Sequence, residues 1–97
     1  MMQAIWNGQV IAESDETLVV EGNNYFPPDS IRWQYFEKID NHTFCPWKGE
    51  ASYYDVVVKG EKNHGAAWYY PEPYEKATEL KDYLGFWRGV EVKAVGS

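Results

Sequence analysis

The chain has 97 residues with 15 acidic and nine basic side chains, which give a formal net charge of −6 at pH 7. The basic residues are scattered, which argues against a protein that binds nucleic acid, because such proteins depend on clustered Lys and Arg. The mean hydropathy is −0.59, and no apolar run approaches the ~20 residues that cross a bilayer. The sequence also begins without a basic and apolar leader. We therefore expect a soluble, cytoplasmic protein without a membrane partner.

The chain length and the single cysteine limit what can stabilise the fold. A chain of this size builds one small core, so we expect a single domain over residues 1–97. Cys45 alone cannot form an intramolecular disulfide or a multi-thiolate zinc site, so we expect no metal and no other cofactor. Five Trp, eight Tyr and four Phe supply large rings for the core and for a binding site.

The first strands are predicted from an Asn-Gly pair. Residues 4–12 place Asn7-Gly8 between two short apolar stretches, which is a strong indication of a β-hairpin with a two-residue turn. A polar turn at residues 14–16 leads to a third strand at 17–21, which is rich in β-forming residues. The sequence therefore predicts an N-terminal β-meander.

The next segment is predicted to be irregular. Residues 22–24 tolerate positive φ and are expected to end the third strand, and two consecutive prolines then place Tyr25 and Phe26 on a constrained loop. For residues 31–36 we favour a strand. A short helix is the alternative, because Ser30 and its neighbours offer an N-terminal cap.

The middle and the end of the chain predict further strands. Residues 51–58 form the longest convincing β pattern, and the polar, glycine-containing segment 59–63 turns the chain back. Residues 66–70 are expected to pair with that strand. Residues 86–93 alternate in their second half and predict a closing strand.

One amphipathic helix is predicted before the closing strand. It follows a proline, has apolar residues at Tyr74, Ala77, Leu80 and Leu84, and ends at Gly85. With the strands described above, this pattern predicts a mainly β protein that has one short C-terminal α-helix.

The segment 43–49, Thr-Phe-Cys-Pro-Trp-Lys-Gly, combines aromatic rings, a cation and the cysteine more densely than any other part of the chain. We expect the loops at 22–30 and 43–50 and the strand at 66–72 to converge on an aromatic cleft with a few polar groups. The candidate ligand-binding residues are Tyr25, Arg32, Cys45, Trp47, Lys48, Tyr53, Trp68 and Tyr69.

Strand geometry limits how many of these rings share one face. Successive residues of a strand point to opposite faces, so only one of Tyr53 and Tyr54, and one of Trp68 and Tyr69, should reach a given cleft. Arg32 is a reserve candidate for binding an anion, although stacking on a neighbouring ring is the simpler explanation for it.

Three side chains are candidates for catalysis, and each has a structural alternative. The Lys48 amine can bind an anion or attack a carbonyl, or it can be an ordinary surface charge. Cys45 can act as a nucleophile with His42 as its base, or it can be a small buried apolar residue. Glu72 can act as a general acid or base, or it can accept a backbone hydrogen bond.

Four blocks of the sequence resemble a bacterial family known as domain-of-unknown-function family 427. They are Gly-Asn-Asn-Tyr-Phe-Pro-Pro at 22–28, Cys-Pro-Trp-Lys-Gly at 45–49, Ala-Ser-Tyr-Tyr at 51–54 and Ala-Trp-Tyr-Tyr-Pro-Glu-Pro at 67–73. The resemblance runs from about residue 5 to 92, which is nearly the whole chain, and the Cys-Pro-Trp-Lys-Gly block is the most specific part.

The resemblance implies a β-tent fold, in which two small antiparallel sheets meet at an angle, as in R-specific methionine sulfoxide reductases. The paired Cys-x-x-Cys zinc motifs of those relatives are missing here, so neither zinc nor their redox chemistry is implied. The family is sometimes labelled nucleotidyltransferase-like. Glu13 and Asp15 are the only closely spaced carboxylates that could serve such a reaction, and they lie in a predicted turn without a glycine-rich phosphate loop.

Three classes of function remain open from the sequence. The leading hypothesis is a module that binds an unknown small molecule in the aromatic cleft. The second is an enzyme that uses one of the three catalytic candidates. The third is an interaction protein in which exposed aromatic residues, such as Trp6, Trp33 or Trp87, form a homodimer face.

Overall fold

The computed structural model describes residues 1–96. Within them, nine strands form three antiparallel sheets with the strand orders β2-β1-β9, β3-β4 and β5-β6-β7-β8. The mainly β prediction is confirmed, whereas the expectation of two sheets is wrong. The strands are β1 (Met2–Trp6), β2 (Gln9–Ser14), β3 (Leu18–Val20), β4 (Asn23–Tyr25), β5 (Phe36–Cys45), β6 (Gly49–Val58), β7 (Glu61–Tyr69), β8 (Gly85–Phe86) and β9 (Glu91–Ala94).

The first sheet contains the predicted hairpin and both ends of the chain. Asn7 and Gly8 have φ values of 51° and 75°, which the tight turn between β1 and β2 requires and which Asn and Gly tolerate. On its other side β1 pairs with β9, where Ala4 lies opposite Val92. The closing strand is therefore present, and it completes this sheet next to β1.

The second sheet replaces the predicted meander. β3 pairs with β4 rather than with β2, because Glu21 and Gly22, at φ values of 53° and 78°, form a second tight turn and reverse the chain. Tyr25 consequently ends a strand and is fully buried, instead of lying on a loop. Phe26 continues past the strand and exchanges two backbone hydrogen bonds with Leu84, at 2.8 and 2.9 Å.

The third sheet is the largest. Residues 31–36, for which we favoured a strand, form a 3₁₀ turn at Trp33–Tyr35 before β5 begins at Phe36. β5 then runs to Cys45 and pairs with β6, with Cys45 opposite Gly49. The Pro-Trp-Lys part of the predicted loop is therefore the turn of a long hairpin.

The predicted C-terminal α-helix is absent from residues 1–96, and the prediction is wrong. Its place is taken by a 3₁₀ helix at Glu75–Leu80 with a kink at Ala77, whose φ is −122°. The apolar residues Tyr74, Ala77 and Leu80 are spaced by three, which fits the three residues per turn of a 3₁₀ helix better than the 3.6 of an α-helix. Gly85, expected to stop the helix, begins β8 instead.

Two apolar clusters form the interior. The larger joins the first and third sheets around side chains such as Ile11, Phe26 and Val56. The smaller lies under the β3-β4 hairpin and includes Tyr25 and Leu80. Across residues 1–96, no helix combines the length and the apolar character that crossing a membrane requires.

Candidate functional site

An aromatic pocket of about 170 Å³ opens where β4, the β5-β6 turn, β6 and β7 meet. Strand β4 supplies two of its residues, the β5-β6 turn supplies the cation, and β6 and β7 supply one ring each. The pocket is lined by Asn23, Tyr25, Lys48, Tyr53, Trp68, Tyr70 and Trp87.

Trp68 is the central ring of the pocket. Its indole meets the Tyr25 ring edge to face at a centroid distance of 6.0 Å and the Trp87 ring at 5.9 Å. Its Nε1–H donates to the Tyr25 hydroxyl at 3.3 Å. Trp87 is fixed by a 2.7 Å hydrogen bond from its Nε1–H to the carbonyl of Gly65. Edge-to-face packing and two indole hydrogen bonds therefore fix the positions of the Trp68 and Trp87 side chains.

Lys48 is the only charged side chain in the lining. It is 6% exposed, and its ammonium pairs with the carboxylate of Glu21 from the β3-β4 turn. The same ammonium lies 5.2 Å from the centre of the Trp47 ring and 5.6 Å from that of Tyr70. These contacts compensate a buried positive charge by an ion pair and by two ring faces.

The charge state of Lys48 follows from these neighbours. Burial lowers the pKa of the Lys48 amine, but the hydrogen bond with Glu21 and the nearby Tyr25 and Tyr70 outweigh burial, so the pKa is raised. The pKa of Glu21 is lowered, chiefly by the hydrogen bond from Lys48. The raised pKa favours the ammonium form of Lys48 at neutral pH, and an ammonium can attract an anion.

Tyr70 contributes a neutral hydroxyl beside this cation. Burial raises the pKa of Tyr70 to about 12, and the positive charge of Lys48 offsets part of that rise. A phenol in this state can donate a hydrogen bond to an acceptor at neutral pH. The Tyr70 hydroxyl and the Lys48 ammonium thus place two hydrogen-bond donors side by side in the lining.

Four of the eight predicted binding residues do not line this pocket, and two of them, Tyr69 and Arg32, lie elsewhere in the fold. Tyr69 lies on the opposite face of β7, where it stacks on Tyr54 with ring centres 4.9 Å apart. Alternation along the strand explains this, because Trp68 already takes the pocket face. Arg32 is exposed and directs its guanidinium to the carbonyl of Val10 at 3.4 Å, so it is not part of this pocket.

The other two, Trp47 and Cys45, precede Lys48 in the β5-β6 hairpin and are also absent from the pocket lining. Trp47 is 38% exposed and supplies the ring beside the ammonium. Cys45 is half-buried and packs against the smaller apolar cluster, in keeping with its alternative as a small apolar residue.

The structure does not bring His42 to Cys45 as a hydrogen-bond partner. The ring nitrogens of His42 contact Ser52 Oγ at 3.1 Å and Asp40 Oδ1 at 3.0 Å. The two residues are three positions apart on β5, so their side chains leave opposite faces of the strand.

Glu72 lies outside the aromatic pocket. It borders a separate groove with Phe44, Glu50 and Tyr74 and is exposed. The three catalytic candidates therefore do not line one pocket, since Lys48 lines the aromatic pocket, Cys45 packs half-buried against the smaller apolar cluster, and Glu72 lines the groove.

The tryptophans named for an aromatic homodimer face lie in different parts of the fold, and Trp33 and Trp87 are exposed. Trp87 lines the pocket, whereas Trp33 packs against Phe36 and Tyr54 with ring centres 5.8 and 5.4 Å apart. Trp6 is half-buried against the larger cluster. The three tryptophans thus have three different surroundings.

Comparison with protein families identifies the chain. A family model described as a domain of unknown function (DUF427) matches residues 1–96. The chain belongs to the DUF427 family. A comparison with curated proteins gave no match.

Three lining residues of this DUF427 chain are missing from the sequence-based set of binding residues. Asn23 reads as a turn residue because it follows a glycine, yet it lies on β4. Tyr70 follows Tyr69 by one position, and alternation could have placed it with Trp68. Trp87 comes from a segment predicted to be a strand, although β8 ends one residue before it.

Proposed function

We propose that this DUF427 chain is a small-molecule binding module whose site is the aromatic pocket around Lys48. The observation that carries the proposal is a buried ammonium in a pocket whose other lining residues are five aromatic side chains and Asn23. Ligand sites commonly combine apolar walls with a few polar groups that fix orientation.

A purely structural role explains Lys48 poorly. Removing the Lys48 ammonium from water is unfavourable, and an apolar side chain of similar volume at such a position often stabilises a fold at least as well. The Lys48–Glu21 pair occupies a place where such a side chain could pack against Tyr25 and Tyr70. A role in recognising a ligand accounts for a cation in this position.

The raised pKa of Lys48 favours a binding role over a catalytic role. A catalytic lysine that forms covalent intermediates needs a lowered pKa, whereas the pKa of Lys48 is raised. Cys45 and Glu72 do not line the pocket. The pocket therefore offers recognition groups, and it lacks an activated nucleophile among its lining residues.

A fragment screen with a pocket-filling variant tests this proposal. Asn23→Phe adds a ring inside the pocket, and Asn24→Phe adds the same ring on the other face of β4 as a matched control. The screen uses small acids, amines and neutral aromatic compounds and follows thermal stability. A ligand at one hundred times its Kd stabilises the folded state by about 2.7 kcal/mol.

We expect fragments that stabilise the wild type and Asn24→Phe but not Asn23→Phe. Fragments that stabilise all three proteins equally would place binding elsewhere. A library in which no fragment of any charge stabilises the wild type would contradict the proposed function.

A further inference from the structure

We propose that the pocket takes a small organic monoanion, a carboxylate carried on a planar apolar body, and that Glu21 is an internal counter-ion that this ligand displaces from Lys48. The inference rests on the proposed function, because it names the ligand class of the same pocket. It is carried by a buried ammonium that is paired with a carboxylate from outside the pocket lining.

The lining favours an anion over a cation or a neutral ligand. Lys48 gives it one positive charge, and it contains no Asp or Glu. The Lys48 ammonium, the Asn23 amide and the hydroxyl of Tyr70 can all donate hydrogen bonds. A carboxylate only accepts hydrogen bonds, so it matches this set, and its charge pairs with Lys48.

The two side chains of the ion pair differ in how exposed they are to water. The Lys48 side chain is 8% exposed, whereas that of Glu21 is 55% exposed. A rotation of the Glu21 side chain can return its carboxylate to water, but the ammonium of Lys48 stays enclosed. Because a buried ammonium without a counter-ion is strongly unfavourable, Glu21 leaves when another anion takes its place. The exchange conserves charge in the pocket.

The position of Glu21 in the fold suits such an exchange. It is the first residue of the two-residue turn between β3 and β4, with a φ of 53°, and these two strands form a sheet of their own. The side chain is thus carried at the tip of a short hairpin. Asn23, which follows that turn, lines the pocket, so the counter-ion and the ligand site are held by the same hairpin.

The volume of the pocket limits the apolar body of the ligand. An apolar cavity of about 150 Å³ holds one benzene molecule, and this pocket measures about 170 Å³. One ring with its carboxylate directed at Lys48 is therefore the expected size. A nucleoside triphosphate combines a base, a sugar and three phosphates, which exceeds this volume and brings several negative charges to one lysine.

The test compares carboxylates with their neutral amides on variants of matched charge. Benzoate, phenylacetate and acetate, with benzamide and phenylacetamide as uncharged counterparts, are titrated by calorimetry into the wild type, Glu21→Gln and Glu16→Gln. Glu16 is exposed and serves as the control for the change in net charge. Circular dichroism verifies that each variant is folded.

We expect the aromatic carboxylates to bind the wild type and their amides to bind at least about tenfold more weakly. Glu21→Gln removes the competitor, and if Glu21 occupies Lys48 for about nine-tenths of the time, Kd for benzoate falls about tenfold. Glu16→Gln leaves that Kd unchanged. Lys48→Met abolishes the preference for the acid over the amide.

A second measurement uses the wild type alone and does not depend on a variant that folds. In a carbon NMR titration at neutral pH, the signal of the Glu21 carboxylate, which is paired with Lys48, should move towards that of a solvent-exposed glutamate as benzoate saturates the site. An unchanged Glu21 signal at saturation would overturn the displacement.

The remaining outcomes separate the two proposals. Amides that bind as tightly as the acids would overturn the ligand class and leave the binding module intact. Binding of benzoate that is unchanged or weaker in Glu21→Gln would overturn the role of Glu21. If no carboxylate binds the wild type or Glu21→Gln, this inference fails. The proposed function fails with it only if the fragment screen also finds no ligand whose binding Asn23→Phe prevents.

Discussion

Gly85 determines where the central ring of the pocket can lie. A Cβ atom at this position would lie 2.6 Å from two carbon atoms of the Trp68 indole, closer than such contacts occur. The absence of a side chain on β8 therefore lets the indole rest against the backbone of the neighbouring strand. The shape of the pocket depends on a residue that does not itself line it.

Gly85→Ala should consequently displace the Trp68 ring. We expect the free energy of unfolding to fall by about 1–3 kcal/mol, because overpacking a well-filled site forces side chains and backbone to shift. Denaturant titration followed by tryptophan fluorescence measures both the stability and the change around the ring. Gly96→Ala is the control, since nothing lies within 4 Å of a Cβ there. Equal stability of the two variants would show that Trp68 accommodates the methyl group.

Tyr54 predicts a loss of stability at alkaline pH. Burial, with a smaller contribution from Tyr69, raises the pKa of Tyr54 from the usual 10.0 to about 12. Between these two values the unfolded chain releases the phenolic proton and the folded protein keeps it, so the unfolded state is favoured as pH rises. The contribution of Tyr54 is therefore constant below about pH 10 and is lost as pH rises towards 12.

Denaturant titrations at several alkaline pH values measure this effect. Tyr54→Phe should show a smaller loss of stability than the wild type between the two pKa values of Tyr54, while Tyr74→Phe, at an exposed position, should follow the wild type. A Tyr54→Phe profile that overlays the wild type would mean that the Tyr54 hydroxyl ionises alike in both states.

At the scale of the elements, the 3₁₀ segment that follows β7 is held in place by tertiary contacts. The 3₁₀ helix Glu75–Leu80 buries only Ala77 and Leu80, and a helix this short is not stable by itself. Its position depends on the apolar contacts that these two side chains make with the smaller cluster.

Leu80→Ala should detach this segment from the cluster. Leu80 is 1% exposed, and truncation of a buried leucine lowers the free energy of unfolding by about 2–5 kcal/mol. Glu79→Ala, at an exposed neighbouring position, should change it by less than about 0.5 kcal/mol. Denaturant titration of both variants gives the comparison. A loss below 1 kcal/mol for Leu80→Ala, on the order of a surface change, would show that the segment contributes little to the fold.

The sequence predicted those elements whose signals are local. The Asn7-Gly8 hairpin and the strand around residues 51–58 follow from turn chemistry and from β-forming residues. The helix prediction failed because residues 74, 77 and 80 suit a 3₁₀ period as well as an α period. The turn at Glu21-Gly22 was missed because a non-glycine residue adopts positive φ there, which local propensity disfavours.

The candidate site shows the limit of sequence reasoning in another way. Alternation along β6 and β7 shows that adjacent rings separate, but it does not show which ring faces the pocket. That choice depends on non-local pairing, such as Trp68 opposite Gly85, which no local pattern contains. Lys48 was chosen for its aromatic neighbours in the chain, whereas its partner Glu21 lies 27 positions away.

At the scale of the whole molecule, the two ends of the chain are joined by one sheet. β9 pairs with β1 over four residue pairs, from Met2 opposite Ala94 to Ile5 opposite Glu91. The backbone N–H of Val95 also donates to the carbonyl of Met1 at 2.7 Å. Through this pairing the half-buried Val92 of β9 packs against the larger cluster, so the sheet that covers this cluster depends in part on β9.

Deletion of residues 91–97 should therefore destabilise the entire protein. Each lost ladder hydrogen bond contributes about 0.5–1.5 kcal/mol, and the half-buried Val92 no longer packs on the larger cluster. We expect a loss of at least about 3 kcal/mol, a large part of the ~5–15 kcal/mol that stabilises a typical small protein. Deletion of residues 96–97 removes no ladder pair and serves as the control. Denaturant titrations of both deletions decide the matter, because an unchanged midpoint in the longer deletion would mean that β1 and β2 cover the cluster without β9.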